Sequence, residues 1–241
     1  MRLAIVSDIH GNLDAFEQVL IDIDRSKVDD IISLGDNIGY GPQPDQVIKK
    51  VRARHISSMM GNHELAAIEP KYLSWFNPVA RESLLKTFKL LSDQSRQYIS
   101  KQKLYQISHG CRFVHGFPPD SALIYMFQVS YHKKMRTLAQ MDERICFVGH
   151  THMLEMLSYK GDIIECEPLI RGVTTLNKDK KYILNIGSVG QPRDGDNRAK
   201  YVIWDSSQNT IEVRFIPYDI ASAVEKIRAA GLPEEHARRL L

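Results

Sequence analysis

The chain has 241 residues, 43% hydrophobic and 25% charged, enough to bury one substantial core and too apolar for a disordered or fibrous protein. Its 32 Lys and Arg against 29 Asp and Glu leave a formal charge of +3, and the basic clusters Lys49 to Arg54, Lys133 to Arg136 and Lys178 to Lys181 describe solvated faces and a hairpin tip, not a nucleic-acid groove. No apolar run approaches the roughly 18 residues of a membrane span, the start Leu3 to Val6 is too short for a signal-peptide core, and Cys111, Cys146 and Cys166 lack paired spacing, so a reducing, cytoplasmic setting is expected.

In chain order, Arg2 to Ser7 reads as a buried strand stopping at Asp8-Ile9-His10-Gly11-Asn12, and Leu13 to Ser26 as a helix capped by Asn12. Asp30 to Leu34 is a second strand, Pro44 to Arg54 a second helix and Ile56 to Met60 a third strand, a βαβαβ pattern that predicts a largely parallel, doubly covered sheet. Residues 65–103 form a helical insertion, with Asn77-Pro78 as a helix start. Arg112 to Val114 and Arg144 to Val148 are short buried strands, and Met153 to Pro217 alternates as antiparallel strands with turns at Lys160-Gly161-Asp162 and Ser206 to Asn209. Residues 219–241 carry two C-terminal helices, docked on the sheet or serving a homo-oligomer contact. The whole, 1–241, reads as one α/β domain with that insertion.

Five of the nine histidines fall where apolar runs end: His10 beside Asp8, His63 beside Asn62, His115, and the pair His150 and His152, with Asp36 ending a further run. His55, His109, His132 and His236 are the scattered remainder and receive no role. Strand ends converge on one crevice in open α/β folds. Nitrogen and oxygen donors without cysteine suit a hard or borderline divalent metal, and the donors suffice for two ions bridged by Asp36. Such a pair binds phosphoryl oxygens and readies a hydroxide for in-line attack, which makes phosphate ester hydrolysis the expected reaction.

The set Asp8-Ile9-His10, Gly35-Asp36, Gly61-Asn62-His63-Glu64, Val114-His115-Gly116 and Gly149-His150-Thr151-His152 resembles the calcineurin-like metallophosphoesterases, from Arg2 to about Tyr218. The resemblance implies a four-layer α/β/β/α sandwich of two mixed sheets flanked by helices, with a di-metal site at their shared edge. One metal would take Asp8, His10, Asp36 and His152, the other Asp36, Asn62, His115 and His150. Manganese is the first expectation, with iron, zinc, nickel and cobalt compatible. His63 is the implied non-ligand histidine, a general acid to the leaving alcohol or a stabiliser of the transition state. Glu64 either orients its neighbourhood or is a first-turn helix carboxylate. The segment Asn185 to Asp194 resembles a loop behind the ligands, from which Arg193 reaches a substrate phosphate or pairs with Asp194 or Asp196.

One departure bears on substrate. Protein Ser/Thr phosphatases and symmetrical diadenosine tetraphosphatases carry Asp-Arg-Gly where this chain has Gly39-Tyr40-Gly41, so the small bacterial and archaeal phosphodiesterase-like branch fits better. The insertion and loop Phe117 to Gln128 would wall the substrate, with Tyr72, Trp75, Phe76 and Tyr125 as candidates for base stacking. The implied activity is a phosphodiesterase on a small or nucleotide-type phosphorylated substrate. The alternatives are dinucleoside polyphosphate hydrolysis, phosphomonoester hydrolysis and a non-catalytic metal-binding scaffold.

Overall fold

Two six-stranded mixed sheets face each other across a shared apolar layer in the computed structural model, which describes residues 1–241. The first runs β3 (Ser57–Ser58), β2 (Asp30–Ser33), β1 (Arg2–Val6), β11 (Ala199–Asp205), β12 (Thr210–Ile216), β9 (Gly172–Thr175). The second runs β4 (Tyr105–Ser108), β5 (Cys111–Val114), β6 (Ile145–Val148), β10 (Lys181–Ile186), β7 (Leu154–Lys160), β8 (Ile163–Pro168). A largely parallel sheet holds only for β1 to β3; β11, β12 and β9 join antiparallel because the late hairpins return beside β1. The second sheet has its own parallel core, β5, β6 and β10.

The two-residue period of β1 explains the layering. Leu3 and Ile5 point into the inter-sheet core with Phe113, Phe147, Leu184 and Trp204, whereas Ala4 and Val6 point to α1 (Leu13–Arg25) and α2 (Pro44–Ala53). Phe113 and Phe147 stack at 5.4 Å between the sheets, and each such buried side chain contributes about 1.5–3 kcal/mol. Val114, Val148 and Ile183 face the opposite way, onto Leu138 of α6 (Tyr131–Gln140). Helices, sheet, sheet and helix make the four layers. No helix is long and apolar enough to cross a membrane.

Several elements differ from the sequence reading. Ile56 to Met60 gives only the two residues of β3, because the backbone then turns to deliver Asn62. The helical insertion is broken into α3 (Asn62–Ile68), a 3-10 turn at Pro70–Trp75, α4 (Pro78–Lys89) and α5 (Asp93–Ile99), since Pro70, Pro78 and the Ser92 cap interrupt it. Asn77 caps α4 through Ala80 N (2.9 Å), as its sequence suggests. β4 and α6 were not anticipated, α6 because few of its residues are apolar and only Leu138 is buried. The C-terminal pair α7 (Ile220–Ala229) and α8 (Glu234–Arg238) does not dock on a sheet: it builds a small core of its own and lies over α1, where Lys226 pairs with Asp14 at 2.6 Å.

Candidate metal centre

The expected residues converge, and the loops after β1, β2, β5 and β6 and the start of α3 deliver them. Of eleven non-glycine residues with left-handed backbone, five are Asp8, His10, Asp36, His150 and His152. Each such conformation costs about 1–3 kcal/mol and persists only where its surroundings enforce it. Here they do: Asp8 N donates to Gly35 O (3.0 Å), His10 N to Asp36 O (2.8 Å), Gly149 N to His115 O (2.8 Å) and Gly190 N to Asp8 O (2.9 Å). Gly61 permits a close approach, for a Cβ there would lie 2.1 Å from Asp36 Oδ1.

The rings are aimed by carbonyls. His10 Nδ1 donates to Ile38 O (3.0 Å), His152 Nδ1 to Gln191 O (2.6 Å), His115 Nδ1 to Leu34 O (3.2 Å) and His150 Nε2 to Leu123 O (3.2 Å). A carbonyl only accepts, so in each neutral ring the proton sits on that nitrogen and the other presents a lone pair. Those lone pairs meet: His10 Nε2 lies 3.1 Å from His152 Nε2, and His115 Nε2 lies 3.2 Å from His150 Nδ1 and 3.1 Å from Asn62 Oδ1. Asp8 Oδ1, buried and without a hydrogen-bond partner, stands 3.3 Å from His152 Nε2, and Asp36 Oδ2 lies between the halves, 3.3 Å from His115 Nε2 and 3.7 Å from His10 Nε2. Facing acceptors repel unless a cation lies among them, and second-partner carbonyls are the usual support of metal-binding imidazoles. The donor set fits a divalent metal.

The electrostatics agree. Burial pushes the Asp8 carboxyl up to about 6, and it drives His10 and His152 well below the ordinary histidine range and His150 down to about 3. Burial also opposes charge on His115, but Asp36 and Asp8 pull it up to about 9, a proton standing where a cation would. Asp36, although buried, is held well below the carboxylate range by His115 and His63.

Around this centre the open alternatives resolve. Glu64 is no mere first-turn carboxylate: fully buried, it accepts from the backbone N–H groups of Asp36 (2.8 Å), Asn37 (2.7 Å) and Gly61 (3.1 Å), clamping two loops together. The 185–194 loop lies behind the ligands as expected, with Asn185 Nδ2 on Gly149 O (2.9 Å) and Ser188 Oγ on Asp8 O (2.8 Å). Arg193 pairs with neither Asp194, which holds the buried Lys200 at 2.5 Å, nor Asp196, which holds Arg198 at 2.5 Å. His63 donates its backbone N–H to Asp36 Oδ1 (2.9 Å), and its ring packs between Tyr40 and Phe76. Its Nδ1 is buried without a partner against Gly39, where a Cβ would fall 2.0 Å away.

Of the four aromatics, Tyr72 packs beside Phe76 and Ala80 and lines no cavity at the centre. The edge of Phe76 meets His63. Tyr125 is covered on His150 at 3.7 Å and on Phe127 at 5.0 Å. Trp75, 66% exposed, is left free at the mouth of a cavity of about 270 Å³ shared with Tyr40, Asn62, Phe76, Tyr125 and His150. The sequence reading missed His236: unlike the exposed His55, His109 and His132, it is buried and stacks on Tyr40 at 4.5 Å, closing the centre on the C-terminal side. Its only signal was a histidine in an otherwise ordinary terminal helix.

Acidic, amide and imidazole donors converging at the shared edge of two mixed sheets define a metal-dependent phosphoester hydrolase. The chain belongs to the calcineurin-like phosphoesterase superfamily, whose domain matches residues 1–209. Among solved structures it is similar to a metallophosphoesterase from Sphaerobacter thermophilus, 36% identical, covering 100% of this chain and 98% of that one with a TM-score of 0.86. It is 33% identical to an uncharacterized protein of Methanocaldococcus jannaschii across 99% of this chain and 96% of the relative. It is 25% identical to the phosphodiesterase YfcE of Escherichia coli across 86% of this chain and 88% of the relative.

Proposed function

We propose that the chain is a phosphodiesterase that uses two divalent metal ions on a small organic or nucleotide-type phosphate ester. The observation that carries this reading is the convergence of imidazole nitrogens at 3.1 and 3.2 Å in two adjoining groups, with Asp36 Oδ2 within 3.7 Å of both. Asp8, His10, Asp36 and His152 would hold one ion and Asp36, Asn62, His115 and His150 the other, manganese being the first choice for such donors. Bound divalent ions supply Lewis acidity toward phosphoryl oxygens and activate water. The similarity to a phosphodiesterase supports the ester class.

The chain's own residues supply position and proton control. Glu64 keeps the Asp36 loop fixed, and the carbonyls of Ile38, Gln191, Leu34 and Leu123 keep each ring in one tautomer. His63 stands beside Asp36 (3.8 Å) with no carboxylate on Nδ1, and burial lowers its pKa to about 4. The resting ring is neutral, so it serves first as a hydrogen-bond donor to developing charge, and acts as a general acid only with the anionic substrate beside it. The cavity at Trp75 suits an aromatic substituent on the ester.

Chelated and dialysed protein should lose activity on bis(p-nitrophenyl) phosphate and regain it with manganese. Undiminished hydrolysis by metal-free protein would overturn the reading.

A further inference from the structure

A cation without an anion stands at this centre. Arg193 follows Gln191 and Pro192 in the loop between β10 and β11, and its backbone N–H donates to His152 O at 3.3 Å, so its position is tied to one of the proposed ligands. The guanidinium donates from Nη2 to Gln191 Oε1 at 3.2 Å and also faces the Tyr40 hydroxyl as a hydrogen-bond partner, and the carbonyl of the same Gln191 holds the His152 ring. Its Nε is buried with no partner. No carboxylate lies within ion-pair distance of it, while the neighbouring cations are matched: Lys200 of β11, fully buried, takes Asp194, and Arg198 takes Asp196. The backbone tie to His152 and the shared contact with Gln191 set Arg193 beside the His10 and His152 half of the centre.

A half-buried guanidinium with an orphaned Nε is costly unless a partner arrives, and its fork of donors matches two oxygens of a phosphoryl group. We propose that Arg193 binds the phosphoryl group of the substrate, gripping its non-bridging oxygens from the His10 and His152 side while Gln191 holds the guanidinium in place. This inference rests on the phosphoesterase reading of the centre and adds to it the residue that recognises the anion. Neutralisation by Asp194 and Asp196 is prevented because Lys200 and Arg198 occupy those carboxylates, so the loop keeps one positive charge for the ligand.

The test is calorimetric titration of manganese-loaded protein with inorganic phosphate, alongside metal analysis and thermal melting, for wild type, Arg193→Ala and Arg193→Lys. Wild type should bind phosphate. Arg193→Ala should weaken it by about ten- to hundred-fold with metal content and melting unchanged, and Arg193→Lys should recover part of the loss, because a point charge replaces a fork. Phosphate affinity of Arg193→Ala within twofold of wild type overturns the proposal and leaves the phosphoesterase reading standing. Loss of metal together with phosphate binding also overturns it, since Arg193 would then only support His152. Wild type that takes up metal yet neither binds phosphate nor hydrolyses any ester overturns both.

Discussion

The two halves of the centre use the same chemistry in opposite settings. The Asp8, His10 and His152 half is closed: Tyr40 covers His10 at 4.4 Å, His236 covers Tyr40, and the space left between this half and the C-terminal helices is only about 10 Å³. The Asn62, His115 and His150 half opens into the cavity of about 270 Å³ with its free Trp75. The closed half has Arg193 beside it and no room for an organic group; the open half has room and an aromatic face, and no Lys or Arg lines its cavity. The difference gives the substrate a direction. On the proposals above, the phosphoryl group would be gripped from the closed side and the organic substituent would extend into the open one.

The largest effect should come from the residue the halves share. Asp36→Ala removes a carboxylate from both, so metal content should fall to near background and hydrolysis by more than about 10³-fold, the scale of losing several kcal/mol of charge stabilisation. Retention of one full equivalent of metal would show that the halves are independent. His63→Ala, by contrast, should lower turnover by about 10²–10⁴-fold with metal content intact, read by single-turnover kinetics and metal analysis. Loss of metal in that variant would make His63 a ligand and redraw the boundary between the halves.

Trp75→Ala sharpens the contrast on the open side. It should raise KM about ten-fold for a diester bearing an aromatic group while sparing a methyl diester, consistent with stacking worth about 1–3 kcal/mol. Equal effects on both esters would remove the directional argument. The smallest effect is a control on the wall itself. Asp45 of α2 accepts from Ser92 N (2.9 Å), Ser92 Oγ and Ser95 Oγ (2.6 Å each) at the start of α5, and pairs with Lys49 at 2.8 Å. Burial opposes its charge, but Lys49 and the two serines win and depress its pKa. Asp45→Ala should cost about 1–2 kcal/mol in denaturant melts at neutral pH, with no change in metal content. Because the folded pKa is depressed, that stabilisation is present above the unfolded value of about 3.9 and is lost as pH falls through the lower folded value, so wild type and variant should converge in acid.

The centre was legible in the sequence because its donors follow apolar runs, and a run that stops at Asp8, Asp36, His115 or Gly149 marks a strand end whatever sheet it belongs to. Their distribution over two sheets was not legible from the runs themselves: nothing in β5 and β6 says that they pair with β10 and not with β1. Glu64 and Arg193 could be read only as alternatives, since the Asp36 and Asn37 amides that Glu64 accepts from, and the pairing of Asp194 with Lys200 and of Asp196 with Arg198, are choices made by tertiary packing. Tyr125 illustrates the same limit. Its ring is an obvious candidate for a base, but it is already stacked on His150 and Phe127. The burial of His236 depends on α8 folding back over Tyr40, which no local pattern encodes.

The central claim is that two divalent ions share Asp36. Anomalous diffraction from a manganese-soaked crystal tests it most directly. The account predicts two peaks about 3.5–4 Å apart, one among Asp8, His10, Asp36 and His152 and the other among Asp36, Asn62, His115 and His150. A single peak, or two peaks of which only one touches Asp36, would contradict it.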